Sequence, residues 1–259
     1  MSTRSCRSRA CWTPSTTLPP APWPAGSSWR SPVTEQKPVV PYKLKPKDAA
    51  TLLIVRGGEE VLMGVRSARH AFMPNKYVFP GGRVDRADGR VPRPVDLRPD
   101  VAEKLERGAS PLRARALAMA AVRETFEEAG MVLGVQGTEA VRTSSPHWKP
   151  FFERGFVPAL DRLDYVARAI TPPGRPRRFD TRFLMVDADH LQGDIFGNGE
   201  LLDLKWVKLK DAQALDLPNI TRLIIEIARR RIADGEHRIE GGTIPFVRTL
   251  NRRHIIGDH

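Results

Sequence analysis

The chain has 259 residues, of which 41% are hydrophobic and 28% charged, a balance ordinary for a globular protein with enough apolar material for a sizeable core. No run of about 18 apolar residues occurs, which argues against a membrane-spanning helix, and both cysteines, Cys6 and Cys11, precede residue 12, leaving the rest without thiols for disulfides or metal sites. The formal charge of +12 attracts polyanions of any kind, yet neither zinc-finger spacing nor an aromatic RNA-binding signature accompanies it, so long nucleic acid is not expected as the main target and a cytoplasmic location is.

Residues 1–34 contain no Asp or Glu and are crowded with Ser, Thr, Pro, Ala and Arg. Such a stretch buries too little apolar surface to offset the entropy of ordering it, which predicts a disordered extension over residues 1–41. Its composition fits an organellar transit peptide; the preferred reading is a start placed too early, with translation beginning near Val33. The expected domain then covers 42–259.

Thr51–Arg56 and Val61–Arg66, separated by Gly57–Gly58–Glu59–Glu60, read as a β-hairpin. Tyr77–Phe79 is a short strand broken by Pro80–Gly81–Gly82, preceded by His70, Phe72 and Met73 as packing residues. Residues 86–110, rich in Pro, Arg and Asp, read as a surface insertion without periodicity. Ser110–Pro111 then supplies an N-cap and a first-turn proline, and Gly130 a stop, for a helix over 111–129. Further strands are expected at 164–170, 181–186 and 201–207, and helices at 209–215 and 218–234. Mixed strands with a few helices predict one α/β sandwich.

The informative segment is Arg123-Glu124-Thr125-Phe126-Glu127-Glu128-Ala129-Gly130. At about 100° per residue, Glu124, Glu127 and Glu128 share one sector, while Met119, Val122, Phe126 and Ala129 form an apolar side that would pack on a sheet. Ala120 and Ala121 flank the acids with little bulk, leaving room for ions. Three carboxylates at helical spacing repel one another, and near the helix C-terminus the macrodipole disfavours them further. Bound hard cations would relieve both, and carboxylate oxygens suit Mg²⁺ or Mn²⁺. The competing reading is a solvated acidic face.

This segment, with Phe79-Pro80-Gly81-Gly82-Arg83-Val84-Asp85 upstream, resembles the Nudix hydrolase signature G-x5-E-x7-R-E-U-x-E-E-x-G-U, where U is apolar. Thr125 stands where an aliphatic residue is usual. Counting from Gly82, the first acid of the signature falls at Asp88; 34 residues then separate it from Arg123 instead of seven, so Asp88 can serve only if the insertion begins after it. The resemblance implies a Nudix-type α/β/α sandwich with a mixed β-sheet and a loop–helix–loop motif. It implies metal ligation by Glu124, Glu127 and Glu128 with the Gly82 carbonyl (or that of Gly81), and Arg123 orienting Glu127. Glu200, ahead of the 201–207 strand, is a candidate general base. Flanking text (Val65–His70, Ile170–Pro173, Arg178–Phe183) looks like the branch containing coenzyme A and acyl-coenzyme A diphosphatases. On that reading Arg175, Arg177 and Arg178 are candidates to receive an extra phosphate. The partners expected are a small-molecule diphosphate and, in a homodimer, a second copy of the chain, with no membrane. RNA 5′-end or dinucleotide pyrophosphohydrolase activity, and a non-catalytic ligand-binding module, are the alternatives.

Overall fold

β-branched and apolar runs form the centre of the fold. In the computed structural model, which describes residues 44–69, 73–235, 243–250 and 253–258, strands β1 (Lys47–Arg56) and β2 (Glu60–Arg66) pair as the expected antiparallel hairpin. The extension over 1–41, His70 and Phe72 lie outside the described residues. Met73 is 36% exposed rather than packed.

β3 (Tyr77–Val78) pairs with β2, and β4 (Gly81–Arg83) pairs with the first half of β1. The remaining sheet strands are β7 (Asp164–Ile170), β8 (Phe179–Asp187), β9 (Leu201–Lys208), β10 (Pro245–Leu250) and β11 (Arg253–Asp258). The main path runs β11-β10-β7-β8-β1-β2-β3, with β9 on β2; the β1–β8 and β7–β10 pairs are parallel, so the sheet is mixed. A separate pair joins β5 (Gly134–Gln136) to β6 (Phe156–Pro158).

Alternation along β1 divides the core. Ala50, Leu52 and Ile54 meet one apolar cluster with helix α2 (Pro111–Ala129), whereas Leu53 and Val55 meet another with α4 (Asn219–Ala233). Helices therefore cover both faces, an α/β/α sandwich. Among the described residues no helix is long and apolar enough to cross a membrane.

Two expectations are corrected. Residues 86–110 are not a bare surface loop: they hold a 3₁₀ turn at Arg86–Gly89 and helix α1 (Pro99–Glu106). Leu97, Val101 and Leu105, spaced four apart, are each at most 8% exposed and join the core. Arg98 fastens α1 by donating to the carbonyls of Asp161 (2.9 Å) and Leu163 (3.1 Å) and by pairing with Asp164. Leu105→Ala should therefore destabilise the domain by about 2–5 kcal/mol in urea unfolding; a loss under about 0.5 kcal/mol is what a surface loop would give. The segment 209–215 forms only a 3₁₀ turn at Ala212–Ala214. Leu209, Ala212 and Leu215 recur every third position, the 3₁₀ period rather than the α period, with Ala214 off that spacing.

Candidate active site

Helix α2 carries the acids, and its ends are built as its sequence suggests. The Ser110 hydroxyl accepts the Arg113 N–H, Pro111 opens the first turn, and Gly130 closes the last with φ 74° and an N–H donated to Phe126 O at 2.9 Å. A left-handed residue there favours glycine, and it stops the helix directly behind Glu127 and Glu128. Ala120 and Ala121 are fully buried in the core. Contrary to expectation they do not border space for ions; their small size lets the helix seat closely against the elements around it.

β4 brings Gly81 and Gly82 against this helix. The Gly81 N–H donates to Glu128 Oε2 at 2.7 Å. A Cβ on Gly82 would lie 2.3 Å from Glu124 Oε1, so any other residue there would push the Glu124 carboxylate aside.

Arg123 organises the rest. Its Nη1 donates to Glu124 Oε1 (2.9 Å) and Glu127 Oε2 (3.0 Å), its Nη2 to Arg83 O (2.9 Å). Nε and Nη2 grip Asp88 at 2.8 and 3.1 Å. Asp88 is 0% exposed and also accepts the Asp85 N–H (2.7 Å) and the Trp148 indole N–H (2.9 Å). The insertion thus begins after Asp88, which closes on Arg123 across it. Burial works against the Arg123 charge, but the hydrogen bond to Asp88 and the charges of Glu124, Asp88 and Glu127 outweigh it and raise its pKa.

A solvated acidic face does not describe this arrangement. Glu128 is 2% exposed, and burial, then the Glu124 charge, pushes its pKa up to about 8 against its ordinary 4.5. Burial likewise raises Glu124 to about 7, with Arg123 opposing. Both folded-state values exceed the unfolded one, so the folded chain binds protons more tightly between about pH 4.5 and 8 and stability falls as pH rises through that window. Melting in chelator should decline accordingly, while stabilisation by added Mg²⁺ should grow from pH 5 to 9 as the ion replaces the protons. An Mg²⁺ effect equal at both ends would contradict this.

The donor set suits a hard divalent ion: buried carboxylate oxygens with uncompensated charge, beside glycine backbone. Among the described residues, however, no three acidic or imidazole groups already converge as ligands. Glu124 and Glu127 are turned to Arg123 and Glu128 to Gly81, so ligation by all three would require side chains to turn.

Glu200 is exposed at the start of β9, close enough that its charge raises the Glu128 pKa, and its carbonyl accepts the Ser67 N–H at 3.0 Å. Arg175, Arg177 and Arg178 make no hydrogen bond or ion pair with the carboxylates. They lie on the β7–β8 loop beside the first residues of β1, where Arg178 O accepts the Lys47 N–H and its guanidinium donates to Thr171 O (3.0 Å) and Leu44 O (2.6 Å). Arg175 and Arg177 are exposed.

Sequence reasoning missed the segment around α3 (Lys149–Glu153). Trp148, 0% exposed, reaches Asp88, and His147 Nδ1 lies 3.0 Å from Glu127 Oε1. Trp148-Lys149-Pro150-Phe151-Phe152 is the densest aromatic cluster of the domain's sequence, the one signal that could have marked it.

No protein-family model matches the chain. Among curated proteins it is 27% identical to a putative nudix hydrolase 7 of Caenorhabditis elegans, over 63% of this chain and 51% of the relative. It is 30% identical to the acyl-coenzyme A diphosphatase NUDT19 of Gallus gallus, over 49% and 47%. The chain spans about half the length of these curated relatives. Among solved structures, a NUDIX hydrolase from Alicyclobacillus acidocaldarius is 26% identical with a TM-score of 0.55, covering 74% of this chain and 97% of that one. With the signature residues gathered as they are around α2 and β4, the chain is similar in sequence and in fold to hydrolases of the Nudix superfamily.

Proposed function

We propose that the chain is a metal-dependent pyrophosphohydrolase that cleaves the diphosphate bridge of a nucleoside-diphosphate-linked metabolite. The observation that carries this reading is the buried Glu128 and the half-buried Glu124, held against Gly81–Gly82, with Glu127 beside them on the arginine that also grips Glu124. Glu124, Glu127, Glu128 and the Gly82 carbonyl would hold Mg²⁺ or Mn²⁺, which supplies charge neutralisation of the diphosphate and activation of water. Arg123, itself held by Asp88, keeps Glu124 and Glu127 side by side on the helix until a cation takes them. Glu200, exposed and close enough to act on the Glu128 charge, is the candidate to accept the proton of the attacking water.

The preferred substrate is coenzyme A or an acyl-coenzyme A. The Gallus gallus relative bears that activity in its name, and the exposed Arg175 and Arg177 make no ion pair with the carboxylates that would compete with a phosphate. Arg178 fastens their loop. Coenzyme A, dephospho-coenzyme A, ADP-ribose, diadenosine polyphosphates and 5′-triphosphate RNA should be incubated with Mg²⁺ or Mn²⁺ and the products identified. The expected products from coenzyme A are 3′,5′-adenosine bisphosphate and 4′-phosphopantetheine. Preferred turnover of a dinucleotide or of RNA would replace the substrate, and turnover of none with either metal would remove the enzymatic reading.

A further inference from the structure

The segment preceding and including α3 touches the carboxylate cluster at two separate points, and it does so with adjacent residues. Trp148 is fully buried among Phe151 and Phe152, its ring 5.3 Å from Phe151 (edge-on) and 5.8 Å from Phe152 (stacked). Phe151 in turn meets Phe126 of α2 at 5.3 Å. The turn entering this cluster is closed by Ser145, whose carbonyl accepts the Lys149 N–H at 3.0 Å and whose hydroxyl accepts the Trp148 N–H at 3.4 Å. The backbone at 147 is therefore fixed on both sides, by the Ser145 turn and by the Trp148 anchor on Asp88.

From that fixed position His147 extends to Glu127. Arg123 Nη1 holds Glu127 Oε2 at 3.0 Å, and His147 Nδ1 lies 3.0 Å from Oε1. A carboxylate can only accept, so this contact requires the Nδ1–H form. The two oxygens are thus gripped from opposite sides, which fixes the plane of the carboxylate, while each oxygen keeps a second lone pair. Glu127 is 23% exposed; without His147 it would be held at one oxygen only, free to rotate about that single contact.

We propose that His147 is a positioning residue for Glu127: it sets the carboxylate for metal binding, and the α3 segment is a second arm of the metal site beside α2 and β4. This rests on Glu127 being a metal ligand, as under the proposed function. Partners that orient a ligating group typically account for 10- to 100-fold in metal affinity.

The test is Mn²⁺ binding to the full chain, followed by EPR of free Mn²⁺ at one pH, in wild type, Glu127→Gln, His147→Ala and His147→Asn. Asn places an amide N–H near the position of Nδ1. His147→Ala should weaken Mn²⁺ binding roughly 10-fold, with His147→Asn recovering most of it. In turnover, the Mg²⁺ concentration for half-maximal rate should rise by a similar factor in His147→Ala, while kcat at saturating Mg²⁺ changes less than threefold. Melting in chelator should be nearly unchanged, because His147 is 53% exposed. If Glu127→Gln weakens Mn²⁺ binding but His147→Ala does not, or if Asn behaves as Ala, the positioning role is wrong and the metal site stands. If wild type binds no Mn²⁺, or binds it indifferently to Glu127→Gln, the role falls together with the metal-site reading.

Discussion

Glu127→Gln and Glu128→Gln should each lower turnover at saturating Mg²⁺ by at least about 10²-fold, since under the proposed function each would remove a negative ligand facing the charge that develops at phosphorus. The same substitutions should leave the chain as stable in chelator, or more so above pH 8, where Glu128 is a buried anion against its own proton affinity. A glutamine oxygen can still accept the Gly81 N–H that Glu128 accepts, so the backbone contact survives while the charge is lost. Activity and stability therefore part company. Near-normal turnover of both variants would mean that these two acids serve the fold alone.

Asp88→Ala should give the largest stability loss of any substitution at this site. Asp88 is fully buried and answers three donors: the Arg123 guanidinium twice, the Trp148 indole and the Asp85 N–H. Removing it strips a buried cation of its bidentate partner, an event that costs about 3–5 kcal/mol; Glu124 and Glu127 remain on Arg123, which places the loss at the lower end. It also leaves the indole N–H of Trp148 without its acceptor. Urea unfolding measures this directly, and Asp88→Asn, which keeps an acceptor for Trp148, should recover part of it. A loss below about 1 kcal/mol would show that water or a neighbour replaces the carboxylate freely.

The parts of the fold readable in the sequence were those governed by local rules. Ser110–Pro111 and Gly130 bound α2 because capping and left-handed geometry act within a turn, and Gly57–Gly58 marks the hairpin for the same reason. The acids of α2 were legible as a set because helical spacing alone places them together. What the sequence concealed is non-local. Asp88 and Arg123 meet across an insertion of which Leu97, Val101 and Leu105 are core residues; the Pro and Arg around them masked a regular four-residue spacing. Trp148 and His147 reach Asp88 and Glu127 only through tertiary packing, and no local pattern specifies that pairing. Ala120 and Ala121 misled because small size was read as open space, whereas it serves close seating of the helix. The β10–β11 hairpin went unread, its strands short and separated from the rest by α4.

The most direct test of a metal-dependent diphosphatase centred on α2 is product formation from the best diphosphate substrate under four conditions: wild type with Mg²⁺, wild type with chelator, wild type with Mg²⁺ restored, and the Glu124/Glu127/Glu128→Gln triple variant with Mg²⁺. The account predicts cleavage at the diphosphate bridge in the first and third and in neither of the others, with the triple variant folded by circular dichroism. Cleavage that persists in chelator, or in the folded triple variant, would contradict it.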